Sequence, residues 1–125
     1  TSLPPPPATS KLFTLNKMIA AYKLWHIWLK NFPKTSRYTI GEKLDGLFIK
    51  ILELFFIASG SPKDKKLPLI KTAIENLDLL KFFLRLSWEM KLLDTNKYQI
   101  LSVKLEEVGR LSWKWKISIE KTLPL

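Results

Sequence analysis

The sequence predicts an all-α protein, an antiparallel up-down-up-down four-helix bundle. Three observations predict it. Apolar residues recur in steps of three and four along four separate stretches, the spacing that puts side chains on one side of a helix. Helix breaks divide the stretches at Pro33, at Gly60-Ser61-Pro62 and at Asp94-Thr95. No stretch shows the two-residue alternation of a strand, and no internal repeat is evident.

Residues 1–10 hold four consecutive prolines, so an extended, disordered leader is expected there, with a proline-recognition ligand as the lesser reading. The bundle is expected over 11–121, and 122–125 as a tail. Helix one starts near Lys11 with the stripe Leu15, Met18, Tyr22, Trp25, Leu29 and Phe32. Pro33 ends it, because the residue before a proline avoids the helical region. Residues 34–38 read as a short loop.

Helix two starts between Ser36 and Thr39. Its first stripe is Ile40, Leu44, Leu47, Ile51, Leu54 and Ala58, and Phe48, Leu52 and Phe55 form a second beside it. Ile49 and Phe56 are apolar as well. A helix this apolar all round needs burial on more than one side, which a subunit interface would supply. Helix three begins between Ser61 and Asp64 and runs to about Leu92, with Ile70, Ala73, Leu77, Leu80, Leu84 and Trp88 on its stripe. Pro68 falls in its first turns or marks a late start. Asp94-Thr95 caps helix four, whose stripe is Tyr98, Leu101, Leu105, Val108, Ser112, Trp115 and Ile119. Gly109 in mid-helix costs about 1 kcal/mol against Ala, so close approach of a neighbouring helix is expected there.

The charge narrows the function. Lys and Arg number 21 against 11 acids in 125 residues, a formal net charge of +10. A polyanion gives a reason to keep so much self-repulsion, because each neutralised phosphate releases condensed counterions. The competing reading is charge kept for solubility alone. There is no cysteine, which excludes a disulfide scaffold and a thiolate metal site. The single histidine, His26, has no carboxylate at ligand spacing and is expected on a helix surface or interface. No stretch is long and apolar enough to span a membrane, and residues 1–10 lack a basic-then-apolar signal pattern, so a cytoplasmic protein is expected.

Catalysis is not expected. Glu106 and Glu107 are adjacent and point about 100° apart. Glu53 and Glu75 have no partner His, and no nucleophile triad, phosphate loop or metal-ligand spacing is present. No cofactor and no metal are expected.

Three segments carry a resemblance. Asn31-Phe32-Pro33-Lys34 with Arg37-Tyr38-Thr39-Ile40-Gly41 closes helix one and opens helix two. Leu80-Lys81-Phe82-Phe83-Leu84-Arg85-Leu86 lies on helix three, and Glu107-Val108-Gly109-Arg110 with Trp113 or Trp115 on helix four. Over about residues 17–121 the chain resembles the four-helix-bundle family that contains the accessory variability protein of diversity-generating retroelements. The proteins encoded in intervening sequences of bacterial 23S rRNA genes are similar. The resemblance implies a ring-shaped homopentamer with a basic surface. It also implies a partner reverse transcriptase from the same element and an RNA template copied into error-rich cDNA, so that RNA, cDNA or an RNA/DNA hybrid is the ligand. The accessory protein itself has no catalytic residues in that scheme. The other reading is a protein of the intervening-sequence branch, or an interaction bundle for another acidic partner.

The candidate contact residues are basic. Lys23, Lys30, Lys34 and Arg37 lie in a segment with no acid before Glu42. Lys81 and Arg85 are one turn apart on helix three and are expected to bring both heads to the surface. Lys104, Arg110, Lys114 and Lys121 are expected along one stripe of helix four. The competing view pairs Asp78 with Lys81, Arg85 with Glu89, and Glu106 or Glu107 with Arg110, leaving a solvated ladder. Trp25, Trp88 and Trp115 read as core. Trp28 and Trp113 lie off the stripes and read first as interface residues, then as stacking platforms.

Overall fold

A computed structural model describes residues 10–123. The proline-rich leader through residue 9 and residues 124–125 of the expected tail lie outside the described residues. Ser10 and Thr122, which the sequence reading put in leader and tail, are helical. Four long helices form the body: α1 (Ser10–Leu29), α2 (Glu42–Ser59), α3 (Lys63–Glu89) and α4 (Thr95–Thr122). α1 packs on α2 and α4, α2 on α3, and α3 on α4, so the helices close around one core. No helix among the described residues is long and apolar enough to cross a membrane.

The first connection differs from the expected loop. Phe32 N–H donates to the Leu29 carbonyl as α1 ends, and Pro33 is extended at φ −53°, ψ 144°. The chain then re-enters a helical path at once, through a single α turn (Lys34–Ser36) and a π turn (Arg37–Gly41) that runs into α2. Proline favours this restart, since its fixed φ suits the start of a helix and its carbonyl accepts from Arg37 N–H at 3.0 Å. The wide π turn brings backbone against the end of α1, and Gly41 makes the fit possible. A Cβ there would stand 3.1 Å from Leu29 Cδ1 and 3.2 Å from the Ser36 carbonyl oxygen.

Gly60 and Ser61 close α2, and Ser61 Oγ donates to the Ile57 carbonyl at 2.7 Å. α3 starts before Pro68, which sits in its second turn and adds no N–H to the ladder. Its end falls at Glu89, short of the expected Leu92, in a Schellman cap. Leu92 N–H donates to the Ser87 carbonyl and Lys91 N–H to that of Trp88, with Lys91 itself left-handed at φ 62°. Asp94 caps α4 as expected, accepting from Lys97 N–H at 2.9 Å.

Trp25 anchors the core beside α2. It stacks on Phe48 at 5.7 Å and meets Phe32 edge-on at 5.3 Å, while its indole N–H donates to Asp45 Oδ1 at 3.2 Å. A buried tryptophan thereby gains full ring packing without an orphaned donor. Elsewhere in the core, Ile51, Phe55, Leu77, Leu84, Leu105 and Val108 are buried, with Phe55 against Trp115.

One apolar assignment needs correction. Trp88 is 37% exposed, and Ser87 takes the core position in the last turn of α3, with its hydroxyl donating to the Phe83 carbonyl. A step of three from Leu84 keeps the small residue inside, and Trp88 instead stacks on the half-buried Tyr98 at 4.9 Å and donates to Thr95 Oγ1. On α2, both expected stripes are largely buried, yet Ile49 and Phe56 stay on the surface, Phe56 at 69% exposure.

Candidate nucleic-acid interface

The basic residues fall into three places. Lys23 is on the outer face of α1, about 180° from the buried side of that helix. Lys30 follows just past its end and Lys34 opens the next turn. All three are exposed and, among the described residues, none has an ion pair. Arg37 is tied back, its Nε donating to the Phe32 carbonyl at 3.0 Å. His26 is exposed beside Tyr22.

Lys81 and Arg85 do not make the uniform surface pair that their spacing suggested. Arg85 is exposed and bound to Glu89 at 2.9 Å. Lys81 is half-buried and turns across to α4, where its Nζ meets Glu106 Oε1 at 3.1 Å rather than Asp78. It can do so because Gly109 leaves room: a Cβ on Gly109 would stand 3.2 Å from Lys81 Nζ and 3.7 Å from Leu77 Cδ2. The close approach expected at Gly109 is therefore made by side chains of α3.

That choice frees Arg110. Its expected partners are taken, Glu106 by Lys81 and Glu107 by Lys17 at 3.3 Å. Among the described residues Arg110, Lys114 and Lys121 have no ion pair, and all three are exposed. On the α4 wheel they lie within about 40° of one another. Lys104 does not share this line. It is half-buried about 120° round the helix from Arg110, in a separate shallow groove with Gln99, Ile100 and Val103.

Between α3 and α4 runs a groove of about 450 Å³ with an apolar floor of Ile74 and Leu77. Lys81, Arg110 and Lys114 line it, with Asp78 and Glu106 as its carboxylates. Trp113 stands at its end, 51% exposed, and also borders the next groove with Lys114 and Lys121. Lys116 Nζ lies 4.4 Å from the Trp113 ring centroid and 3.2 Å from Glu120. Trp28, the other off-stripe tryptophan, is half-buried with Lys97 over its ring. A larger cleft of about 540 Å³ at the α3–α4 turn is lined by Trp88, Glu89, Lys91 and Asp94, a mixed-charge set that favours neither sign of ligand. Among the described residues no three His, Asp or Glu side chains converge on a common point.

Sequence reasoning missed the position of Trp113 between two basic grooves. It also missed that Lys81 passes over Gly109 to reach Glu106. The glycine in mid-helix was the signal available for the second. A family model described as bAvd-like matches residues 12–119, from the first helix to the last. Comparison with curated proteins gives no match.

Proposed function

The chain belongs to the bAvd-like family, and from that membership and the free cations of α4 we propose a non-catalytic accessory protein that binds nucleic acid for a retroelement reverse transcriptase. In this reading it acts in the cytoplasm during mutagenic reverse transcription, holding template RNA and polymerase together. The observation that carries the nucleic-acid part is the line of Arg110, Lys114 and Lys121. Lys81, Arg85, Lys97 and Lys116 on the same two helices pair with acids, whereas these three have no acid partner among the described residues and lie within about 40° of one another. A line of unpaired cations is what a phosphate chain neutralises with release of its counterions.

The same reading includes an antiparallel bundle and a homopentameric ring. Antiparallel packing of α3 and α4 is supported by contacts that run in opposite order, Leu77 at Gly109, Lys81 at Glu106 and Trp88 at Tyr98. Assembly is supported by large apolar side chains left on outer faces, including Phe56, Phe82 and Val103.

Reconstitution tests the whole. The reverse transcriptase of the same element and its template RNA are incubated with and without the chain, and cDNA is measured. We expect cDNA synthesis to depend on the chain, native mass spectrometry to give an oligomer, and RNA binding to weaken steeply with salt. Undiminished cDNA without the chain, together with no RNA binding at low salt, overturns the reading.

A further inference from the structure

Trp113 stands apart from the other tryptophans. Trp25 and Trp115 are buried, Trp28 is half-buried, and Trp88 is stacked on Tyr98. Trp113 is half exposed on α4, at the junction of two grooves. It lies about 60° round the helix from Arg110 and about 100° from Lys114. The Lys116 ammonium at 4.4 Å, held by Glu120, engages the ring and fixes its setting. The half-exposed ring, with Lys116 on one side of it, thus stands beside unpaired cations that span, from Arg110 to Lys121, about 17 Å of helix.

We propose that Trp113 is a base-stacking platform for a single nucleic-acid strand lying along the outer side of α4, its phosphates met by Arg110, Lys114 and Lys121. The proposal rests on the nucleic-acid binding proposed above and adds the strandedness of the ligand. A duplex offers phosphates to the same cations but keeps its base faces stacked inside, so Trp113 would gain nothing from it. A single strand offers both, a charged backbone and free π faces, which is the pairing that sequence-tolerant single-strand binders use. The carboxylates nearby do not cancel the site. Glu106 is held by Lys81 and Glu120 by Lys116, which leaves Asp78 as the one groove carboxylate without an ion pair among the described residues.

Fluorescence anisotropy on the full chain tests this with three labelled probes of equal length: a thymidine homopolymer, an abasic deoxyribose-phosphate oligomer and a duplex. The unaltered protein should bind the homopolymer more tightly than the abasic chain. Trp113→Ala should weaken homopolymer binding about fivefold or more while leaving the abasic chain unchanged. Trp113→Phe, which keeps a ring, should retain most of the difference. Arg110→Ala should weaken both single chains and lower the salt slope by about 0.7. The ring is exposed, so sedimentation should show the same oligomer for every variant. Homopolymer binding unchanged in Trp113→Ala, an equal loss on the abasic chain, or a changed oligomer would each overturn the stacking role. A protein that binds none of the probes at low salt would overturn the nucleic-acid reading itself.

Discussion

The ammonium of Lys81 on α3 lies 3.2 Å from the point where a side chain on Gly109 of α4 would begin. The glycine opens the gap through which Lys81 reaches Glu106, and with Glu106 occupied Arg110 has no acid partner among the described residues. One missing methyl group thus sorts the charges of the groove.

Gly109→Ala should raise stability, by roughly 0.5 to 1 kcal/mol, because helix propensity improves while the tightest neighbour is the tip of a flexible lysine and Leu77 lies at ordinary contact distance. Lys81 would swing outward and lose its bridge to Glu106, an exchange worth little at a solvated site. Urea denaturation measures it. A lower midpoint would mean that the Lys81 contact outweighs propensity.

Gly41→Ala should act in the opposite direction. Its new Cβ would press on the Ser36 carbonyl oxygen at 3.2 Å and on Leu29 at 3.1 Å, and a backbone atom in the turn just before it yields less readily than a lysine tip. A loss of about 1 to 2 kcal/mol is expected. Equal thermal midpoints for the two proteins would show that the π turn relaxes.

Lys91→Gly should stabilise the α3–α4 turn. Lys91 sits at φ 62°, where an L side chain costs about 1 to 2 kcal/mol and glycine almost nothing. The greater freedom of glycine in the unfolded chain offsets part of this, so a net gain of about 0.5 to 1 kcal/mol is expected. Thermal unfolding checks it, and a loss of stability would reveal a contact of the Lys91 side chain that outweighs the strain.

Alkaline pH should lower stability through Tyr22. Burial pushes its hydroxyl above the usual tyrosine value of 10.0, and the hydrogen bond to Asp45 and the charge of that carboxylate act in the same direction. A group whose folded pKa is raised gives stability that is complete below pH about 10 and is lost as pH climbs through the folded value. Tyr22→Phe should flatten the fall in denaturation midpoint above pH 10. An equally steep fall in the variant would assign the transition to other groups.

The sequence made the helices legible because their signals are local. Stripes such as Leu44, Leu47, Ile51, Leu54 and Ala58 follow from the helical period alone, and Asp94 announces its cap three residues ahead of the amide it binds. The restart after Pro33 was less legible, because a π turn there depends on Gly41 fitting against the end of α1. The exchange of Trp88 for Ser87 was equally hidden, since the last turn of α3 answers to the space left by its neighbours.

For the candidate site, the sequence by itself determined that the chain is helical and strongly basic. It also determined that Arg110, Lys114 and Lys121 share a side of one helix, because their spacing settles their angles. Only the tertiary structure decided which cations stay free. Sequence spacing offers Lys81 the acid Asp78, one turn behind it, but the packing of α3 on α4 brings Glu106 to 3.1 Å. Ion pairs between helices depend on their relative height and rotation, which the side-chain packing of the whole core sets and no local pattern records.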